Sequence, residues 1–243
     1  MRVAMTVPEN ETPHTSKEYD ERLNRARRML VEMGARVCRQ VGDAMDCLDS
    51  GDGALIDLVL QREVLINRLE VEIDEFVGQI IARRQPTASD LRVLLALVKL
   101  TVDIERMGDE AKNIALHASR IRFGERMRLP IYFEIRRMGW LVLDMLNDAL
   151  ASLERMDIGH TTALLRRDLE VDRMYGGTLH RLIALMIDDP RSISACLDVV
   201  FIVRAIERIG DHAKNVAEQV VYAVHGKDLR HLPIGEVEHE LGG

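Results

Sequence analysis

The chain has 243 residues, 47% apolar and 30% charged with only 4% aromatic, a balance that suits an all-helical protein of one large or two ordinary domains. Its net charge of −7 offers no basic field for nucleic acid or anionic lipid. The longest apolar runs, "VLLALV" at 93–98 and "VVFIV" at 199–203, fall far short of the ~20 residues that cross a bilayer, so membrane contact is expected only through a partner.

The opening "MRVAMTVPENETPHTSKEYD" lacks a basic stretch followed by an apolar one, so it reads as a polar tail over residues 1–15 and not as a secretory signal. Leu23, Ala26, Leu30, Met33, Val37 and Val41 follow a three-four spacing that predicts a helix over about 16–49. "DSGDG" breaks it. A second helix is expected over about 52–84, with the seam Ile66, Leu69, Ile73, Phe76 and Ile80 typical of antiparallel bundles. Pro86 ends it, and Thr87 with Asp90 has the spacing of a capping box for a third helix over about 88–120. Three more helices are predicted at about 131–157, 160–188 and 190–225, the last opened by Asp189 as N-cap and Pro190 as first residue. Residues 227–243 read as a poorly ordered tail. Cys38, Cys47 and Cys196 form no metal-ligand spacing, and an odd count fits reduced thiols in the cytosol. Met29, Met33, Met145 and Met186 read as core filling.

The chain repeats itself. "ERMGDEAKN" at 105–113 returns as "ERIGDHAKN" at 207–215, an offset of 102 residues. Upstream, at an offset of 105, "VCRQVGDAMDCLD" (37–49) falls on "VLDMLNDALASLE" (142–154) and "EVLIN" (63–67) on "DLEVD" (168–172). The fold class expected is therefore all-α: a tandem repeat of two antiparallel three-helix bundles, six helices in all, over residues 16–120 and 121–226.

In the third helix Glu105, Asp109 and Asn113 recur every four residues, advance only ~40° per step and form one stripe. Glu105 lies ~100° around from Ile104 in the core seam Ile104, Met107, Ala111 and Ile114, which places the stripe beside the core with its oxygens unburied, facing a groove or solvent. The second helix offers Glu63 and Asn67. The second copy offers Asp168, Asp172, Glu207, Asp211 and Asn215. Carboxylates at i and i+4 repel, and facing pairs on two helices accumulate charge that a cation would relieve. An all-oxygen set favours hard ions such as Mg²⁺, Mn²⁺, Ca²⁺ or Fe³⁺ over structural zinc. Glu70 and Asp74 have the same spacing, but their repeat partners are Tyr175 and Leu179, so they are set aside. Gly108 and Gly210 each cost a helix about 1 kcal/mol relative to Ala, which suggests close approach of a neighbouring helix. Arg106 and Arg208 read as ordinary surface ion pairs, and His212 as an incidental surface histidine.

"IARRQPTASDLR" (81–92), "ERMGDEAKNIA" and "ERIGDHAKNVAE", set within tandem three-helix units, resemble the PhoU phosphate-uptake regulator family over residues 16–226. The resemblance implies a cytoplasmic regulator, not an enzyme, peripheral at the inner membrane through its partners. It implies repression of the phosphate-starvation response by linking a phosphate ABC transporter, through its ATPase subunit, to a sensor histidine kinase, and it makes a homodimer plausible. It also implies multinuclear metal clusters (Fe, Mn, Mg or Zn) on paired E(D)xxxD motifs, here Glu105 with Asp109, Glu207 with Asp211 and Asp168 with Asp172. The matching pair in the first copy is Glu63 and Asn67, where an amide replaces a carboxylate and removes a charge.

Two other readings compete. One is a carboxylate-bridged iron enzyme or metal store, against which E-x-x-H occurs only at Glu11/His14 and Glu236/His239 in the tails. The other is a helical scaffold without metal.

Overall fold

The computed structural model describes residues 17–84, 86, 88–121, 131–230 and 232–241, and the regular structure among them is entirely helical. The elements are α1 (Lys17–Ser50), α2 (Gly53–Arg84), α3 (Ala88–Arg120), α4 (Tyr132–Arg155), α5 (Thr161–Asp188), α6 (Ile193–His225, preceded by a 3₁₀ turn at Pro190–Ser192) and α7 (Ile234–Leu241). The expected six helices are all present, with ends within three residues of those predicted. The expected N-terminal tail, and Thr87 of the expected capping box, lie outside the described residues.

The chain breaks where its turn chemistry directs. Gly51 adopts φ 67°, which only glycine takes without cost, and Asp52 Oδ1 accepts from the Ala54 N–H at 2.9 Å to cap α2. At the start of the sixth segment Asp189 Oδ1 accepts from the Arg191 N–H at 3.1 Å, with Pro190 in the first helical position as the sequence predicts.

Helices α1, α2 and α3 pack on one another, as do α4, α5 and α6, and the halves join through α1 against α4 and α3 against α6. The duplication holds at side-chain level: Arg62 donates to Asp43 at 2.5 Å, and 105 residues later Arg167 donates to Asp148. The α1/α4 crossing is reciprocal. A Cβ on Gly34 would collide with Leu150, and a Cβ on Gly139 would collide with Met45, where Gly139 and Leu150 are the repeat equivalents of Gly34 and Met45. Each half thus receives the other's side chain where a glycine leaves room.

Across the second junction Asp103 meets His212 at 2.9 Å, Glu110 meets Arg208 at 2.7 Å and His117 meets Asp198 at 2.8 Å, so α3 and α6 run antiparallel. His212 and Arg208 are therefore seam residues and correct the surface reading. A charged partner one helix away, on the other repeat, was invisible to a periodicity argument. Arg106 stays exposed beside Glu105 and Asp109, as expected. Met33 and Met145 are fully buried, and Met29 and Met186 pack partly buried against one apolar core that spans both halves. Each fully buried Leu, Ile or Met stabilises by about 1.5–3 kcal/mol, and residues of both halves belong to this one core.

The stretch read as a poorly ordered tail is corrected in part: it contains α7. Val237 and Leu229 form a small separate core with Leu165 of α5 and Val221 of α6, and Arg166 pairs with Glu238 at 2.6 Å. Eight residues showed too little periodicity to be read as a helix.

Candidate metal centre

The acidic stripes lie between the second and third helices of each repeat and are not as open as the sequence suggests. Glu63, Asp168 and Glu207 are only 5%, 2% and 8% exposed. Glu105, Asp109 and Asp211 are half-buried, while Asn67 and Asp172 stand exposed at the rims. The expectation of unburied oxygens is thus corrected, because the helices cross so closely that the flank of α3 or α6 is covered by α2 or α5.

In the first repeat one oxygen each from Glu63, Glu105 and Asp109 lies within 4.8 Å of the others, the convergence a single cation requires. Gln40, fully buried on α1, donates from Nε2 to Glu63 Oε2 at 2.8 Å and to the Gly108 carbonyl at 2.9 Å. Gly108 thereby explains itself: a Cβ there would lie 3.3 Å from Glu63 Oε2, so the missing side chain makes room for the carboxylate. Burial, and next a hydrogen bond with Asp109, raise the Glu63 pKa. Burial works against ionised Asp109 too, but hydrogen bonds from Lys112 and Glu63 hold it below the usual range. The two acids are thus pushed in opposite directions, Glu63 up and Asp109 down. Burial, then the charge of Asp109, raises Glu105. Asn67, in the amide orientation that satisfies its neighbours, donates to Glu63 Oε1 at 3.2 Å, so it supports a carboxylate in place of supplying one.

In the second repeat Asp168 accepts from Lys214 at 2.8 Å and Glu207 Oε1 accepts from Arg204 at 2.9 Å. Glu207 Oε2 is buried with no hydrogen-bond partner. Burial, then Asp211, Asp172 and Asp168, push Glu207 up to about 7 despite Arg204. Burial followed by Asp168 raises Asp211, and burial followed by Asp168 and Asp211 raises Asp172. An orphaned buried oxygen among mutually repelling carboxylates is the electrostatic counterpart of a cation site. The residues present therefore fit a hard metal ion.

The two asparagines of the stripes leave the sites. Asn113 donates to Glu110 at 3.2 Å and Asn215 to Asp103 at 3.1 Å, both at the seam between repeats. Sequence spacing placed them on the stripe but could not say that a better acceptor lay on the other side.

The PhoU domain family matches residues 30–118 and 135–220. The chain belongs to the PhoU family. It is 40% identical over 240 residues to the phosphate-specific transport system accessory protein PhoU homolog of Pseudomonas putida, covering 98% of this chain and 93% of that protein. It is 35% identical over 234 residues to the phosphate-specific transport system accessory protein PhoU of Escherichia coli K12, covering 96% of each. The crystal structure of PhoU from Pseudomonas aeruginosa superposes with a TM-score of 0.81 at 39% identity, over 86% of this chain and all of that one.

Within the PhoU repeats, four contributors escaped the sequence reading. Gln40 gave no signal, because its repeat equivalent is the apolar Met145. Glu70 was set aside for lacking an acidic repeat partner, yet its charge bears on Glu105. Lys112 and Lys214 stood in the repeated nonapeptide itself, between the acid and the asparagine.

Proposed function

We propose that this chain is a metal-binding cytosolic regulator of phosphate homeostasis that restrains phosphate uptake and the phosphate-starvation response. The observation that carries this reading is near-full-length similarity to accessory proteins of the phosphate-specific transport system. Its partners are then a phosphate ABC transporter, met at the ATPase subunit on the cytoplasmic side, and a sensor histidine kinase, with a homodimer as the working unit. No helix among the described residues is long and apolar enough to cross a membrane, so the partners carry the membrane attachment.

Glu63, Glu105 and Asp109 would hold metal in the first repeat, and Asp168, Asp172, Glu207 and Asp211 in the second. A bound ion supplies positive charge between the second and third helices of each repeat, where the protein's own cations leave acid uncompensated. The protein's groups orient the ligands: Gln40 and Asn67 fix Glu63, and Arg204 fixes one Glu207 oxygen.

Deletion of the gene is expected to release phosphate-regulated transcription in high phosphate, and the tagged chain is expected to co-purify with transporter and kinase from phosphate-replete cells. Unchanged transcription after deletion would refute the regulatory reading. Bound metal measured on wild type, Glu105→Ala and Glu207→Ala tests the sites separately, since a scaffold without metal would show no difference.

A further inference from the structure

We infer that Lys112 and Lys214 are displaceable resident counter-ions: each occupies its acidic site in the metal-free protein and competes with metal for the same carboxylate oxygens. The inference rests on the metal-site reading above. It starts from the repeated nonapeptide, where a lysine follows the site aspartate by three residues in both copies. That spacing sets the lysine beside the acidic site in each copy: Lys112 reaches Asp109 on its own helix, and Lys214 reaches across to Asp168.

Lys112 Nζ lies 2.5 Å from Asp109 Oδ1 and 3.3 Å from Glu63 Oε1, bridging α3 to α2 through two of the three carboxylates that converge there. Lys214 Nζ lies 2.8 Å from Asp168 Oδ2 and bridges α6 to α5. The same two helices that a cation would join are thus joined by an ammonium in each repeat. Burial works against both ammonium groups, but the hydrogen bond to Asp109 in one and to Asp168 in the other outweighs it and raises both.

The residue type separates a placeholder from a fixed strut. The chain contains only five lysines among 33 basic residues, and it uses arginine for the other helix-to-helix pairs inside each bundle, Arg62 with Asp43 and Arg167 with Asp148. Arginine's planar fork locks a carboxylate bidentately, whereas lysine presents a compact point charge on a flexible stem. The two lysine side chains are 29% and 33% exposed, so each can swing to water without opening the core. Lys214 also borders a cleft of about 490 Å³ between α5, α6 and the C-terminal segment, lined by Asp168, Asn215, Glu218 and Arg230. Glu218, one turn on from Lys214 and buried, gives the displaced ammonium a second acidic seat; its repeat equivalent is Leu116, so Lys112 has none.

One ammonium leaves each site short of neutral. Glu207 Oε2 stays buried without a partner while Lys214 sits on Asp168. The lysine therefore lowers the cost of the empty site without removing the attraction for a divalent ion, which would take its place and release it to solvent.

The test uses the full chain stripped with chelator, with Lys112→Met, Lys214→Met and the corresponding Lys→Arg variants. Thermal midpoints are read without metal, and Mn²⁺ affinity is read from the electron paramagnetic resonance signal of the free ion. Loss of the competing ammonium is expected to lower the metal-free midpoint and tighten Mn²⁺ binding about tenfold at the altered site. Lys→Arg is expected to keep the metal-free midpoint and weaken Mn²⁺ binding. Wild-type Mn²⁺ binding that the Met variants leave unchanged or weaken would overturn the counter-ion role alone. Absence of Mn²⁺ binding in wild type and every variant would overturn the metal-site reading and this inference with it. Binding by the Met variants but not by wild type would support the inference in its strongest form.

Discussion

Glu207→Gln should make the metal-free protein more stable, although it removes a candidate ligand. Burial, and then Asp211, Asp172 and Asp168, raise this carboxyl from 4.5 to about 7, so the folded state holds a proton that the unfolded chain releases. At 1.36 kcal/mol per pKa unit the penalty for ionised Glu207 is roughly 3 kcal/mol. Below pH 4.5 both states carry the proton and the substitution has little effect. As pH rises from there to about 7, only the unfolded chain loses it and wild-type stability falls; above 7 the penalty is complete. Glutamine keeps an oxygen for Arg204, which donates to Glu207 Oε1 at 2.9 Å, so the change isolates charge from packing. Thermal denaturation in chelator should show the variant roughly 5–10 °C above wild type at pH 8, with most of that gain gone at pH 5. A variant that is destabilised at pH 8, or one that gains equally at both pH values, would refute this account of the site's electrostatics.

The paired glycines make a controlled experiment within one molecule. A Cβ at Gly210 meets Val142 at 3.4 Å, Val171 at 3.6 Å and Met145 at 3.7 Å, ordinary contacts, so Gly210→Ala should recover up to about 1 kcal/mol of helix propensity. Gly108→Ala sets a methyl 3.3 Å from Glu63 Oε2 and should forfeit that gain, leaving it the less stable of the two by urea denaturation. The reverse order would show that Glu63 does not need the space. Val237→Asp should strip protection from hydrogen exchange along α7 while α1, α2 and α3 keep theirs, because Val237 belongs to the small core with Leu165, Val221 and Leu229, separate from the main one. A collapse of protection across the first bundle would show that α7 supports the whole fold.

Helix ends and bundle membership were legible because the chain marks them with strong local chemistry: Gly51 and Asp52 at one break, Asp189 and Pro190 at another, and a three-four apolar spacing between. The duplication was legible for the same reason, and Arg62–Asp43 with Arg167–Asp148 shows how faithfully the offset carries into contacts. The depth of the sites was not legible. Helical periodicity gives the angle of Glu105 or Glu207 around its own axis, but exposure depends on how closely α2 or α5 crosses, and in the first repeat Gly108 leaves room for the Glu63 carboxylate that Gln40 holds. Asn113 and Asn215 show the same limit from the other side, since their acceptors, Glu110 and Asp103, look toward the seam where α3 meets α6. Reading an asparagine as a ligand required knowing that no nearer acid existed.

The two repeats offer a cation different terms. In the first, burial and Asp109 raise Glu63, Lys112 sits between the two acids, and Gln40 and Asn67 occupy further Glu63 lone pairs. Its oxygens converge, but these partners compensate more of its charge. In the second, Asp168, Asp172, Glu207 and Asp211 share Lys214 and one arginine, and an oxygen of Glu207 is unsatisfied. Convergence favours the first repeat, uncompensated charge the second. Side chains can rotate by an ångström far more cheaply than a buried carboxylate can go unneutralised, so charge should decide. Titration with Mn²⁺ is therefore expected to resolve two steps, with Glu207→Ala abolishing the tighter and Glu105→Ala the weaker. If Glu105→Ala removes the tighter step, preformed geometry outweighs charge, and the amide at Asn67 has not weakened the first site.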